Sequence, residues 1–243
     1  MNRRPASLVI AFLVVWCHPA EAQQRGADQA AEGVLNMAMD NPEDVLRFWF
    51  PGNLRNDHAV MVRQFEWWFR GGADPAIIES FVPLVERASR GELDHWSHTP
   101  RGRLALIIVL DQFSRTVYRG SPGAFAQDPK ALALALQGIE IGHYAALNNP
   151  WEKTFFLLPL GHSEELVHLE AAVKLAEELV EHAPPEVRKV LEHSASQARG
   201  HRDVIARFGR HPHRNEVLGR LSTPDELEYL ATGQLIHTRP IPH

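Results

Sequence analysis

The most informative stretch of the chain is an apolar run that leads directly into polar residues. It runs from Leu104 to Gly120, with seven apolar residues before Asp111 and Gln112 and with Arg115 one turn further on. At helical spacing, positions 104, 108, 111 and 115 share one face, so Asp111 lies on a core-facing stripe. Burying a carboxylate is costly unless it is paired. The pattern therefore predicts a polar group inside the protein.

The other hydrophobic segments also repeat at helical spacing. Caps and first-turn prolines precede several of them, and the residues from Thr223 to Glu226 have capping-box spacing. Helices are predicted at about 41–50, 57–70, 74–91 (kinked at Pro83), 99–119, 128–143, 151–158, 162–182, 185–208 and from 223 onward. No segment alternates as a strand does, so the fold class is predicted to be all-α, with short connections that favour antiparallel helix pairs.

Two further ionisable residues lie on apolar stripes. His162 is in register with Leu166 and Leu169, while His201 follows a small or apolar stripe on the segment 185–208. A buried aspartate beside a histidine fixes the imidazole tautomer and raises its basicity, as a general base requires. We therefore expect Asp111, or Glu164, to orient His162 or His201. A purely structural hydrogen-bonded network is the alternative.

A second polar segment runs from Arg207 to Arg220 and contains four arginines and two histidines. It is expected to form a turn that leads into a new helix near Asn215. Arginine side chains and helix N-termini suit a carboxylate or a phosphate, which predicts an anion site. The alternative is that these arginines neutralise Asp111, Glu164 and helix C-terminal carbonyls.

A metal site has less support in the sequence. Glu165 and His168 are three residues apart, which is half of a di-iron carboxylate pattern, but no second copy follows. Ser163 is a candidate nucleophile that lacks the surroundings of a nucleophile elbow. No metal site and no particular cofactor is predicted.

The N-terminal segment, the cysteine content and the net charge indicate the compartment of the protein and exclude some classes of partner. Arg3 and Arg4, an apolar segment at 6–16 and Ala20-Glu21-Ala22 are typical of a cleaved export signal, which predicts a periplasmic or secreted protein; a retained anchor is the alternative. Cys17, the single cysteine, lies in that signal, so disulfides and thiolate ligands are excluded from the mature chain.

A net charge of −5 without a basic run argues against nucleic acid as a partner, and no later apolar run is long enough to cross a membrane. The predicted organisation is a signal at 1–22, a flexible lead-in at 23–40, one helical domain at 41–232 and a frayed tail at 233–243.

Several motifs resemble those of a bacterial family known only as domain-of-unknown-function family 924. They are Asp44-Val-Leu-Arg-Phe-Trp-Phe50, Gly91-Glu-Leu-Asp-His-Trp96, Leu110-Asp-Gln-Phe-Ser-Arg-Thr-Val-Tyr-Arg-Gly120, Phe155-Phe-Leu-Leu-Pro-Leu-Gly-His-Ser-Glu164 and Phe208-Gly-Arg-His-Pro-His-Arg-Asn215, continuing through Leu218-Gly-Arg220. The resemblance implies an all-α fold similar to the tetratricopeptide-like superfamily, a right-handed α-α superhelix or bundle. It implies no activity. The chain departs from the family pattern at Ser114, Thr116 and His211.

The functional hypothesis combines these patterns. We expect binding of a small anionic molecule, a carboxylate or a phosphate, with acid–base chemistry as a further step. The candidate acid–base residues are Asp111, His162, His201 and Glu164. The candidate ligand-binding residues are Gln112, Arg115, Tyr118, Arg119, Arg210, His213, Arg214 and Asn215. The alternatives are a protein-interaction scaffold, in which a buried ion-pair network is structural, and a metal-dependent enzyme.

Overall fold

The computed structural model describes residues 41–52 and 58–233, with side chains from Val60 onward in the second of these ranges. The α-helices in these ranges are α1 (Pro42–Trp49), α2 (His58–Phe69), α3 (Asp74–Ser80), α4 (Val82–Ser89), α5 (Pro100–Ile108), α6 (Ser114–Val117), α7 (Asp128–Glu140), α8 (His143–Ala146), α9 (Pro150–His162), α10 (Leu166–Glu181), α11 (Pro185–Phe208) and α12 (Pro224–Ala231). Short 3-10 segments at Asp94–His98, Pro122–Phe125 and Pro212–Arg214 separate some of them. No strand occurs among the described residues, so the all-α prediction is confirmed.

Helix starts follow the local chemistry that the sequence predicts. Asn41 accepts a hydrogen bond from the backbone N–H of Glu43, and Thr99 accepts one from Gly102, with a proline next in both cases. Thr223 and Glu226 form the reciprocal capping box, which confirms that prediction. A cap of this kind contributes about 1 kcal/mol to helix stability.

The centre of the fold is α5, which is buried on all sides from Gly102 onward. Every residue from Gly102 to Ile108 is buried, including Arg103, whose guanidinium bonds neutral acceptors on the facing helix α7. A Cβ atom at Gly102 would lie 2.3 Å from the carbonyl oxygen of Trp96, so only glycine fits there. The sequence pattern assigned Asp111 to one core-facing stripe of an amphipathic helix. That description was incomplete, because the residues from Gly102 to Ile108 are buried on every face of the helix.

The helix continues as a π-helical turn, Val109–Phe113, which the sequence analysis did not predict. Such turns insert one extra residue into a helix and are frequent at functional sites. Asp111 lies within this turn and is 1% exposed.

Aromatic side chains fill the space between α1, α2 and α9. Trp49 contacts Trp67, Trp68, Phe113 and Phe155, with ring centroids 5.3–6.2 Å apart. Offset and edge-to-face pairs of this kind add about 1 kcal/mol each beyond the area that they bury. The aromatic cluster predicted at 57–70 is thus mainly core packing.

Two predicted boundaries near His162 were wrong. Helix α9 continues through Pro159 to His162 instead of stopping near the proline. Ser163 and Glu165 then have extended backbone angles, and α10 starts at Leu166. His162 is consequently the last residue of one helix and not the first of the next.

The helix predicted near Asn215 was also wrong. Gly209 ends α11 with a φ of +67°, which glycine adopts without strain. The chain then forms the 3-10 segment Pro212–Arg214 and further turns before α12. The predicted kink at Pro83 is a break between α3 and α4.

The signal at 1–22, the lead-in at 23–40 and the tail beyond Gly233 lie outside the described residues. The described residues all fall within one compact unit, Met39–His243. Among them, no helix combines the length and the apolar character that crossing a membrane requires.

Candidate functional site: a buried Asp111–His162 pair beside an apolar cavity

The structure brings Asp111 and His162 into direct contact. Nδ1 of His162, at the end of α9, lies 2.7 Å from Oδ1 of Asp111 in the π turn. The His162 side chain is 19% exposed, while that of Asp111 is 1% exposed. The pair therefore has a buried carboxylate and an imidazole that reaches the edge of the core.

Three further side chains surround the carboxylate. Nη1 of Arg115 lies 3.2 Å from Oδ1 of Asp111, and Gln112 donates its amide N–H to the other oxygen. Arg115 also pairs with Asp128, whose second partner is Arg214 at 3.1 Å. Two carboxylates thus alternate with two guanidinium groups, and the network is neutral overall.

The charges in this network determine the protonation of the pair. Burial by itself would raise the pKa of Asp111, but the charge of Arg115 and the contact with His162 hold this pKa well below its ordinary value. Burial, followed by the charge of Arg115, lowers the pKa of His162, against the opposing effect of Asp111. At pH 7 the carboxyl is therefore ionised and the imidazole is neutral. Nδ1 carries the hydrogen that bonds Asp111, and Nε2 carries the lone pair.

His162 borders a cavity of about 160 Å³ between α2, α9, α10 and α11. Its walls are mainly apolar and include Trp68, Phe155, Leu157 and Leu191. His201 lines the same cavity from α11. The two candidate histidines therefore line one cavity, although they come from different helices.

A second network holds the backbone that follows His162. Glu164 accepts hydrogen bonds from both terminal nitrogens of Arg220, at 2.8–3.1 Å, and from the backbone N–H of His211 at 2.8 Å. These bonds, together with the charge of Arg214, outweigh burial and lower the pKa of Glu164. Glu164 contacts the 208–220 segment and not His162, so it holds the loop and does not orient the ring.

Three histidines cluster behind this loop. The ring of His211 lies 5.7 Å from that of His201 and 5.4 Å from that of His213, measured between centroids. Nε2 of His211 donates to the carbonyl oxygen of Ser163 at 3.2 Å. Burial, and then the positive charge of Arg214, lowers the pKa of His211 far below its ordinary value. In the described part of the chain, no group of three or more potential ligand side chains has the arrangement of a metal site.

The expected anion contacts are already paired with carboxylates. Arg119 bonds Asp74 at 2.6 Å, and Arg210 bonds Glu226 through two nitrogens at 2.6 and 2.7 Å. Asn215 also reaches Glu226, at 3.3 Å. Tyr118 is partly buried beside Gly123. The structure thus groups Gln112, Arg115 and Arg214 with Asp111, and it places Arg119, Arg210 and Asn215 in other contacts.

Several residues of the site were not among the expected ones. Asp128 was interpreted only as the start of a helix, yet its carboxylate joins Arg115 to Arg214. The cavity results from small side chains on facing helices, namely Ala172 and Ala176 on α10 and Ala198 on α11. Small residues within apolar stripes are the sequence signal that would have pointed to this space.

Comparisons with known proteins agree with the fold. The family model described as "Bacterial protein of unknown function (DUF924)" matches residues 45–234. A solved structure from Agrobacterium tumefaciens, described as a protein of unknown function, ATU0120, is similar with a TM-score of 0.58 and 32% sequence identity, over 79% of this chain and 97% of that one. A search of curated proteins gives no match. The extent of the family match shows that this chain belongs to the bacterial family of unknown function DUF924.

Proposed function

We propose that the protein binds a small organic acid in the cavity beside His162, and that His162 takes up a proton from solvent as the carboxylate binds. The observation that carries this proposal is the buried Asp111, whose oxygen lies 2.7 Å from Nδ1 of a histidine that borders the cavity. Asp111 stabilises an imidazolium, so His162 can take up a proton from water at Nε2 and then pair with the ligand carboxylate, which is already ionised at pH 7. This is the arrangement of a general base with an orienting carboxylate.

The charge of the cavity lining supports an acidic ligand. Arg70, His162 and His201 are the titratable residues among its lining side chains, and none of the lining residues is acidic. A carboxylate therefore meets no like charge inside the cavity. Phosphate has less support than a carboxylate, because Arg115, Arg119, Arg210 and Arg214 each have a carboxylate partner.

The proposal also covers the cellular compartment in which the protein acts. The segment at 1–22 supports export, so we propose that the protein meets its ligand in the periplasm or outside the cell.

The proposal predicts proton-coupled binding. A carboxylate binds most strongly when His162 is protonated, so its affinity should rise as the pH falls from 8 to 6, with uptake of a proton at pH 7. We would titrate the protein with acetate, benzoate and inorganic phosphate by calorimetry, in buffers of different ionisation enthalpy. His162→Gln is expected to weaken carboxylate binding about tenfold or more, which corresponds to about 1.4 kcal/mol, and to abolish the proton uptake.

His182→Gln is the matched control. His182 is exposed at the end of α10 and does not line the cavity, so this variant should bind as the wild type does. Equal affinity in the wild type and in His162→Gln, or no binding of either carboxylate, would contradict the proposal.

A further inference from the structure

The size of the cavity limits what it can hold. Apolar protein cavities of about 150 Å³ hold one benzene ring. The cavity beside His162, at about 160 Å³, thus has room for a single ring or a branched group of similar size. Two fused rings would exceed this volume.

The walls favour a flat apolar body. Trp68 and Phe155 contact each other at 4.7 Å between centroids, and Phe69 stacks parallel to Phe155 at 5.7 Å. Phe69 is 37% exposed and borders the cavity together with Arg70, so this end opens toward solvent. Aromatic rings pack well against other aromatic rings in offset or edge-to-face arrangements.

One lining residue, Gln197, also has a covered oxygen that lacks a hydrogen-bond partner among the described residues. Oε1 of Gln197, on α11, is buried and has no hydrogen-bond partner among the described residues, while its Nε2 lies 3.1 Å from Nε2 of His193. Leaving such an oxygen unsatisfied is unfavourable. A ligand in the cavity that donates a hydrogen bond to Gln197 would satisfy this oxygen once the side chain turns it toward the cavity.

We infer that the ligand is a single-ring carboxylic acid, of the size of benzoate, that carries a hydroxyl or amino group as a donor to Gln197. This inference rests on the proposed function, because the carboxyl group is assigned to His162. It adds the size of the apolar body and a second polar contact. Gln197 is then a residue that determines specificity, and Ala198 is one that sets the size limit.

The test compares ligands and variants in one set of calorimetric titrations. The probes are acetate, benzoate, the three monohydroxybenzoates, 2-naphthoate and the neutral compound benzyl alcohol. The wild type is expected to bind benzoate at least about tenfold more tightly than acetate or 2-naphthoate. One hydroxybenzoate is expected to exceed benzoate by about tenfold.

Two variants separate the parts of the inference. Ala198→Leu places a larger side chain in the cavity and is expected to weaken benzoate binding at least about tenfold, whereas Ala206→Leu, at an exposed position of the same helix, should have no effect. Gln197→Leu is expected to remove the preference for the hydroxybenzoate while keeping the affinity for benzoate. Thermal unfolding of each variant shows that it is folded.

The outcomes distinguish this inference from the proposed function. If acetate or 2-naphthoate binds as tightly as benzoate, or if Ala198→Leu binds benzoate normally, the assigned ligand class is wrong, even when binding depends on His162. If Gln197→Leu keeps the preference for the hydroxybenzoate, the role of Gln197 is wrong. If benzyl alcohol and benzoate bind equally and without proton uptake, the cavity size stands but the proposed acid–base function fails.

Discussion

Asp111→Asn is expected to lower the free energy of unfolding by about 3 kcal/mol, because removing one charge from a buried ionic network leaves its partners uncompensated. The variant keeps an oxygen that can accept from His162, so the loss comes mainly from the charge that Arg115 no longer meets. Urea denaturation at pH 7 measures this difference directly.

Asp94→Asn provides the comparison. Asp94 pairs with Lys130 at the surface, where its side chain is 57% exposed, and such pairs contribute about 0–1 kcal/mol. If both variants lost the same small amount of stability, Asp111 would not be an ionised group whose charge the fold depends on.

The free energy of unfolding is expected to fall steeply between pH 7 and pH 5. Burial keeps the pKa values of His211 and His162 below their ordinary value in the folded protein, so these rings stay neutral there. In the unfolded chain, histidines take up protons below about pH 6.5. The stabilisation from a lowered histidine pKa is thus fully present above that pH and is lost as the pH falls. Each such histidine contributes up to about 1.4 kcal/mol per pH unit, so His211 alone accounts for about 2 kcal/mol between pH 6.5 and pH 5.

His211→Gln should flatten this dependence. The groups that act on the His211 ring are Arg214, His201, His213 and His162, all of which disfavour its protonation. His182→Gln, at an exposed position, should leave the pH dependence unchanged. The explanation would be wrong if His211→Gln lost stability on acidification as steeply as the wild type does.

The buried network and the cavity assign different roles to Asp111 and His162. A purely structural network would explain the stability effects of Asp111 and His211, but it would give His162 no role in ligand binding. The proposed acid–base site requires both the stabilising effect of the network and a role of His162 in ligand binding. Because Asp111→Asn tests stability and His162→Gln tests proton-coupled binding, the two experiments separate these interpretations.

The sequence allowed the fold class and the burial and pairing of Asp111 to be predicted, for physical reasons that hold in the structure. Helix caps act locally, so Asn41, Thr99 and Thr223 could be recognised without tertiary contacts. The expectation that Asp111 must be paired followed from the cost of burying a charge. His162 was singled out by a stripe on the wrong helix, and its contact with Asp111 did not follow from that stripe.

Other features depend on contacts between distant segments, and helical periodicity does not contain them. The pairing of Arg214 with Asp128, 86 residues apart, needs the 208–220 turn to fold back onto α7. The arginines were expected to bind an anion because their spacing does not show which carboxylates of the chain they meet. The π turn at Val109–Phe113 has no composition signal, since each of its residues also fits an ordinary helix.

Nitrogen NMR of the His162 ring tests the central claim most directly, namely that buried Asp111 holds a neutral imidazole beside the cavity. In the ligand-free protein at pH 7, we expect a protonated Nδ1 and an unprotonated Nε2, with a pKa lowered by burial from its ordinary value. Addition of benzoate is expected to protonate Nε2 as well. A ring that carries its hydrogen on Nε2, or that titrates as an exposed histidine does, would contradict the account.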